Sequence, residues 1–592
     1  MIRFIEHLRS FYLIFASSNT LPNITTKEPE SSTKFKFTVK HMLLFLIIIG
    51  VIFRITSLQN RDVGFDANYF LTMGQTFADK GEFYLPWGDP SNLNGLPSFS
   101  HHMSPLYPAY LGSFYVIFGE SYLVPKIASL LMSLFTLIII YWTSKDLFGK
   151  ERGIVVATIF ALDYELIIET GKLYSENMTL LFFALTMWAI IRGVKDDRYI
   201  SLAGLFAGLA YLTRASLGYF FIIAGIGGFL WRFYYMRWDV FRNKWYLIGI
   251  AIFLGIVGGW GLRNLYHFGW PNWETSAALQ NTILYAFSRP VDYFILIVLL
   301  VPFFIFIIMS YGAFWFPELR TSLKRIKDEQ VSGLWLAVFL VPFIALFVSG
   351  ALSLDETEKG VSLFWRDRVR YLLYAFLPLI WLAVREVNFH LNKPIRQIFS
   401  RSRFSLSIIR ERISEILKNR LWLFSIIILF IAGIVSLLTM GGWLAAFLFM
   451  AIPAMFFRSS RKRLAIFLAV LLVFSIEGGT GEVKFAAPSV GSDLDSMLAP
   501  GEIVAVNASS WHQYYFLYPF IENAEDRIFP LETYPNATYI ISYFVEVNYY
   551  GYENIASYYD ESKGGLISEA LAMLSGSTTR VTKLTIVLWK HL

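Results

Sequence analysis

The chain has 592 residues, of which 56% are hydrophobic, 18% aromatic and only 16% charged, against about 25% charge in soluble domains. Its mean hydropathy is +0.51 and it has no cysteine, which excludes a disulfide frame, a thiol nucleophile and a cysteine metal site. The net charge of +7 sits beside apolar spans rather than in one basic patch, which points to lipid contact and away from nucleic acid.

Residues 1–40 are polar and mixed, without the layout of a cleavable signal, and read as a cytoplasmic segment. A helix needs about 20 apolar residues to cross a bilayer. On that measure thirteen spans are predicted, at roughly 41–58, 123–144, 153–169, 176–192, 199–213, 216–231, 246–262, 293–312, 332–350, 371–385, 421–439, 443–457 and 463–477. Between the first two lies a long outer loop, 59–122. Its apolar stretch 104–118 is short and holds Pro105 and Pro108, so it is predicted as an amphipathic helix on the membrane surface. With the N-terminus inside, 33 of the 51 Lys and Arg fall in inside segments. If 104–118 crossed the membrane, every later loop would invert and the basic segments would lie outside, against the positive-inside bias. The basic stretch 385–420 reads as a cytoplasmic amphipathic helix on anionic lipid.

The tail, 478–592, is polar. Strands are predicted at Ile503–Val506, Tyr539–Ser542 and Leu584–Trp589, and helices near Trp511–Tyr518 and Leu566–Leu574. The expectation is an all-α polytopic membrane domain, 41–477, followed by a small α/β domain on the extracytoplasmic side. The glycosylation triplets at Asn507 and Asn536 agree with that side.

The outer loop carries the first candidate for chemistry. Phe65, Tyr69, Phe70, Met73 and Phe77 recur at helical spacing, so Asp66 falls in the first turn of a short helix. A carboxylate there is either an N-terminal cap or an acid that takes a proton from an acceptor hydroxyl or amine. His101 and His102 follow; adjacent histidines cannot face one way on a helix, and one of them can bind phosphate or a metal. A second acidic cluster holds Asp163, Glu165, Glu169 and Glu176, with Lys172 and Ser175 among them. Acids at membrane depth are costly and usually functional. The bland readings are a Ser175–Glu176 helix cap, and pairing of Asp163 and Glu165 with a neighbouring Arg or Lys. The outer basic residues are few: Lys172, Arg214, Arg263, His267, Arg366, Arg368 and Arg370, the last beside Tyr371. A guanidinium fork at an outer helix end suits a lipid-borne phosphate, while Arg366 is equally suited to pairing with Asp355, Glu356 or Glu358.

At these residues the chain resembles the C-type (GT-C) membrane glycosyltransferases, and among them the protein O-mannosyltransferases and the lipid A aminoarabinose transferase (glycosyltransferase families 39 and 83). The resemblance rests on the acid opening the first outer helix, Asp66 with Tyr69 behind it, and on Pro105 to Pro108. It extends through Lys145 to Gly149, Ser175-Glu176, Leu212-Thr213-Arg214, and Arg370-Tyr371 followed by Pro378. Two departures stand out: Ala67 follows Asp66 where the family often has Glu, and Met103 and Ser104 separate His102 from Pro105. The Trp-Trp-Asp signature of the oligosaccharyltransferase branch is absent from the tail.

The resemblance implies transfer of a sugar from a polyprenyl-phosphate carrier to a protein, lipid or glycan acceptor on the outer face of the cell membrane. It assigns Asp66 and Glu176 as catalytic carboxylates. Arg368, Arg370 and Tyr371, with His102, Tyr69 and Lys172, become substrate or phosphate binders. The resemblance fixes no cofactor and leaves metal need open: Asp66, Glu176 and one histidine could hold a divalent metal ion. The rival classes are a flippase or transporter of lipid-linked substrates, which would show broken helices with paired charges near mid-membrane, and a non-catalytic membrane assembly protein.

Overall fold

The computed structural model describes residues 38–60, 67–85, 98–99, 104–214, 218–268, 312, 314–340, 373–392, 427, 430, 457 and 459–480. In the tail it describes 482–484, 490, 493–494, 496–499, 502–507, 528–530, 537–543, 552–563 and 581–591.

The helices run in chain order. The first are α1 (Val39–Asn60), α2 (Ala67–Lys80), α3 (Leu106–Phe118), α4 (Leu123–Phe148), α5 (Lys150–Ala161), α6 (Tyr164–Gly171), α7 (Glu176–Gly193) and α8 (Arg198–Thr213). Then come α9 (Gly218–Met236), a 3-10 turn (Arg237–Arg242), α10 (Lys244–Phe268), α11 (Phe316–Lys324), α12 (Glu329–Leu340), α13 (Leu373–Arg385) and α14 (Ser460–Thr480). Among the described residues, α1, α4, α10 and α14 are the four helices long and apolar enough to cross a membrane; at 1.5 Å per residue each reaches about 30 Å or more. α7 and α13 are apolar on all sides and are enclosed by other helices, so they form the core of the bundle. The predicted spans 293–312, 421–439 and 443–457 lie outside the described residues, single positions apart.

Two predicted elements differ from what the structure holds. The span expected at 153–169 is two helices, broken at Leu162 and Asp163. Asp163 opens α6 as its N-cap, its carboxylate accepting from the backbone N–H of Leu166 at 3.1 Å. Three carbonyls at the break are bonded by side chains: Arg54 of α1 donates to those of Phe160 (2.9 Å) and Ala161, and Ser475 of α14 to that of Leu162 at 2.7 Å. In lipid, where no water can serve them, such groups need protein partners. Arg54 is fully buried, and Asp163 is the acid whose charge bears on it. The second difference is at 385–420. The chain leaves the helix after Arg385, and residues 386–392 form a turn and extended segment. It is tied down by Arg152 Nε to the Val387 carbonyl (3.0 Å) and by Lys40 N–H to the Leu391 carbonyl (3.0 Å). Residues 393–420 lie outside the described residues.

The polar groups divide between the two ends of the bundle. One end collects the ion pairs Arg192–Asp146, Arg232–Glu329, Arg232–Asp197 (3.1 Å), Arg385–Asp328 (2.6 Å), Arg325–Glu386 (3.3 Å) and Arg463–Glu318. These residues come from the segments the charge bias assigns to one side, and we call this the basic end. The opposite end holds α2 and α3, the α6–α7 connection and the end of α8. There α2 and α3 meet at Gly74 and Gly112; a Cβ on Gly112 would lie 2.6 Å from the Gly74 carbonyl oxygen.

The tail contributes a six-stranded sheet of order β3-β7-β8-β6-β4-β5. Its strands are β3 (Glu482–Lys484), β4 (Val504–Asn507), β5 (Ile528–Pro530), β6 (Tyr539–Tyr543), β7 (Tyr552–Lys563) and β8 (Val581–His591); a two-residue pair, β1 (Tyr84–Leu85) with β2 (Ser98–Phe99), lies in the outer loop. β4 pairs in parallel with β5 and β6, and the other neighbours are antiparallel. β4, β6 and β8 cover the three predicted strands. The long β7 was not predicted: Tyr552 to Lys563 is mostly polar without clean alternation, and its extended form comes from pairing with β8. The helices predicted near 511–518 and 566–574 lie outside the described residues.

Candidate functional site

The candidate site is built where α7 begins. The link from α6 to α7 is only Lys172 to Ser175. To turn so tightly, Leu173 adopts φ +60°, a left-handed conformation that costs an L-residue roughly 1–2 kcal/mol. Complete burial of its side chain offsets this strain. The link ends on Ser175, which makes no side-chain cap bond, so the Ser175–Glu176 cap reading is corrected. Instead Glu176, with a fully buried side chain, forms an ion pair with Arg214, the residue that ends α8. The two are 38 residues apart in sequence.

Beneath this pair a polar network crosses the helices. Asn177 donates to Thr170 Oγ1 at 3.1 Å, Thr170 donates to Ser133 Oγ at 3.0 Å, and Arg54 Nε reaches the same Ser133 oxygen at 2.9 Å. It joins the α5–α6 break to the floor of the site and anchors α7 against α4. All four side chains are buried, so each bond lies in a low-dielectric setting where an unmade one is costly.

The surface-helix segment closes the site. Tyr107 of α3 is 1% exposed, and its hydroxyl faces Ser129 of α4. Burial pushes its ionisation well above the usual tyrosine range, Ser129 opposes this, and the charges of Tyr110, Glu176 and Glu169 add to it. Tyr107 stays a neutral donor and lies close enough to both carboxylates to feel them. Burial likewise raises Tyr110 to about 12. Phe70 of α2 meets the Tyr107 ring edge to face at 5.1 Å. α2 therefore docks on the helix that faces Glu176. Among the described residues, Asn68 Oδ1 and Thr72 Oγ1 of α2, and Ser175 Oγ, are buried polar atoms without a hydrogen-bond partner; a polar ligand would satisfy such atoms.

The expected site residues fare as follows. Glu176 is in the site. Tyr69 is buried on α2, at 2% exposure. Lys172 sits on the α6–α7 link with its ammonium 5.6 Å from the centre of the Tyr174 ring. Asp66 lies outside the described residues, immediately before Ala67, which opens α2 fully buried. His101, His102, Arg366, Arg368, Arg370 and Tyr371 also lie outside them. Among the described residues, no group of three or more His, Cys, Asp or Glu is placed to hold a metal ion. Two residues of the site region, Arg214 and Arg54, carry little signal in the sequence. Arg214 was legible only as an isolated outer cation in a Leu-Thr-Arg run. Arg54 gave one signal, a guanidinium inside an apolar span.

The fold is that of the GT-C membrane glycosyltransferases. Residues 102–260 match the family model of dolichyl-phosphate-mannose-protein mannosyltransferases, a stretch that contains Tyr107, Lys172, Glu176 and Arg214. Among solved structures, ArnT from Cupriavidus metallidurans bound to undecaprenyl phosphate aligns over 92% of this chain and 98% of its own, at 12% identity and a TM-score of 0.50. The same protein in the apo state aligns over 92% and 97%, at 12% identity and a TM-score of 0.50. An oligosaccharyltransferase from Archaeoglobus fulgidus aligns over 85% of this chain and 68% of its own, at 13% identity and a TM-score of 0.45. No curated protein matches by sequence. The resemblance drawn from the motifs is thus met in both sequence model and fold.

Proposed function

We propose that the protein transfers a sugar from a polyprenyl-phosphate carrier to an acceptor on the extracytoplasmic side of the cell membrane. The observation that carries this reading is the buried Glu176–Arg214 pair at the end of the bundle where α2, α3 and the α6–α7 link converge. A solved structure of the same fold holds undecaprenyl phosphate, which supports a lipid-phosphate donor.

In the proposed reaction the carrier enters sideways from the lipid. Arg368 and Arg370, beside Tyr371, hold its phosphate, with Lys172 and His102 as further cations. The acceptor approaches above α3. Asp66 takes the acceptor proton as the acceptor oxygen or nitrogen bonds to the anomeric carbon. The bond from that carbon to the phosphate oxygen breaks, and the polyprenyl phosphate leaves with its charge stabilised by arginine. One displacement inverts the anomeric centre. Glu176, fixed by Arg214, is a second site carboxylate that orients the sugar or acceptor. Tyr69 contributes a substrate contact from α2.

The transporter reading draws on the broken α5–α6 helix, the kind of feature such proteins use. Here the carbonyls at the break are bonded to Arg54 and Ser475, and Asp163 caps the next helix. The break is filled by protein, which favours a structural role for it. The test is mass spectrometry of lipid-linked sugars and glycans in a strain lacking the protein, where donor should accumulate and one product disappear. Restoring Asp66→Asn should restore the protein but not the product; product formation by that variant would overturn the proposal.

A further inference from the structure

Away from the site, towards the basic end, a cavity of about 580 Å³ lies between α7, α8, α9, α10 and α12. This is within the roughly 300–1,000 Å³ range of ligand cavities. It starts seven residues along α7 from Glu176, at Phe183, about 10 Å down the helix axis. Its walls are apolar, with Met187, Phe229, Trp231, Ile250 and Leu254 among them. Among the described residues Arg232 is its one charged wall residue, and it is neutralised by Glu329 and Asp197. Close glycine contacts hold the walls: a Cβ on Gly204 would lie 2.0 Å from the Gly249 carbonyl oxygen, and one on Gly333 would lie 2.8 Å from the Trp231 ring. At Gly228, by contrast, a Cβ would meet nothing within 4 Å, so this glycine faces open space. Ile250 and Leu254 are about half exposed, at 46% and 58%, so the cavity opens sideways along α10. An apolar cavity does not hold water, and in a bilayer the neighbouring solvent is aliphatic chain.

The mouth at the basic end has a different chemistry. Tyr234 near the end of α9 and Trp238 and Phe241 of the 3-10 turn are exposed, the aromatic composition of a membrane interface. Arg237, Arg242 and Lys244 are exposed beside them, with Asp239 the one acid in the turn, 3.9 Å from Arg242 and itself exposed. The turn is joined to the cavity: Phe241 packs on Phe229, a wall residue, with ring centres 5.4 Å apart. Cations at an interface draw anionic headgroups.

We propose that this cavity is a lipid site separate from the sugar-transfer site, and that it takes one acyl chain of an anionic phospholipid whose phosphate rests on Arg237, Arg242 and Lys244. The aliphatic chain matches the walls, and the cationic turn selects the headgroup. The proposal does not depend on the reaction assigned above, because its test reads labelling and not turnover.

The test uses the full chain in vesicles of phosphatidylcholine doped with phosphatidylglycerol that carries a diazirine at mid-chain. After irradiation, the label should map to peptides of α9 and α10 that contain Phe229, Ile250 or Leu254. Gly228→Phe, which fills the open space, should lower that labelling roughly tenfold or more. Arg237→Ala with Arg242→Ala and Lys244→Ala should lower it by a similar factor for the phosphatidylglycerol probe and leave a diazirine phosphatidylcholine probe unchanged. These three side chains are exposed, so this variant tests the proposal even if Gly228→Phe fails to fold. Equal labelling by both phospholipid probes in the unaltered protein, or labelling that survives the triple substitution, would overturn it. Labelling of the same peptides by a diazirine polyprenyl phosphate in preference to phosphatidylglycerol would overturn it too and would assign the cavity to the carrier's tail.

Discussion

Replacing Arg214 with Met removes the guanidinium from a carboxylate that has no solvent to turn to. Glu176 is 0% exposed and Arg214 only 11% exposed at the side chain. Removing one partner of a buried ion pair costs about 3–5 kcal/mol, because the other charge stays behind. Glu176 keeps its remaining contacts in the site, so the expected loss for Arg214→Met is near the lower limit, about 3 kcal/mol. Glu176→Gln should cost less, about 1–2 kcal/mol, since the amide oxygen still accepts from Arg214 and no bare charge remains. The double variant should be more stable than Arg214→Met alone, because the stranded charge is gone. A favourable coupling of about 1–3 kcal/mol is therefore expected in the double-mutant cycle. The assay is equilibrium unfolding in mixed micelles, with sugar transfer measured in parallel on protein that remains folded. Both single variants should lose transfer. Additive effects on stability would refute the reasoning, since they would mean that the two side chains do not share one buried site.

Gly112→Ala places a methyl group 2.6 Å from the Gly74 carbonyl and 2.8 Å from Phe77; it should cost about 1–3 kcal/mol by overpacking and lower transfer by displacing α2, whereas a neutral result in unfolding and activity would contradict this helix contact. Asp163→Ala should lose at least the roughly 0.5–2 kcal/mol of N-cap energy, and more because it also removes the acid whose charge bears on buried Arg54; unchanged stability would contradict both roles. Burial pushes Asp328 up, but the Arg385 guanidinium and the backbone N–H groups of Val331 and Gln330 outweigh it and hold the carboxyl below its ordinary value. Such a group adds stability above its unfolded pKa of about 3.9 and loses it as pH falls through the lower folded value. Asp328→Asn should thus cost less than about 1 kcal/mol at neutral pH, screened as the pair is, with the difference vanishing in acid; a pH-independent difference would count against the pair.

The sequence by itself determined the class of protein, most helix positions among the described residues and the division of the basic segments from the outer-loop segments. Hydropathy over a window of about 20 residues, the short proline-containing run at 104–118 and the alternation of basic segments are local signals, and local signals survive without a fold. Three strands of the tail were legible for the same reason, as short apolar runs. Only tertiary structure decided the rest. The α5–α6 break depends on Arg54, which lies 106 residues before Phe160 and offers no nearby clue that it will bind carbonyls there. Glu176 reads in sequence as either a cap or a site carboxylate, with no partner legible; packing of α7 on α8 makes it the partner of Arg214. β7 is extended because β8 pairs with it, and its own residues alternate too little to say so. The common cause is the solvent. Lipid leaves every buried polar group to find its partner within the protein, and that partner is chosen by which helices touch.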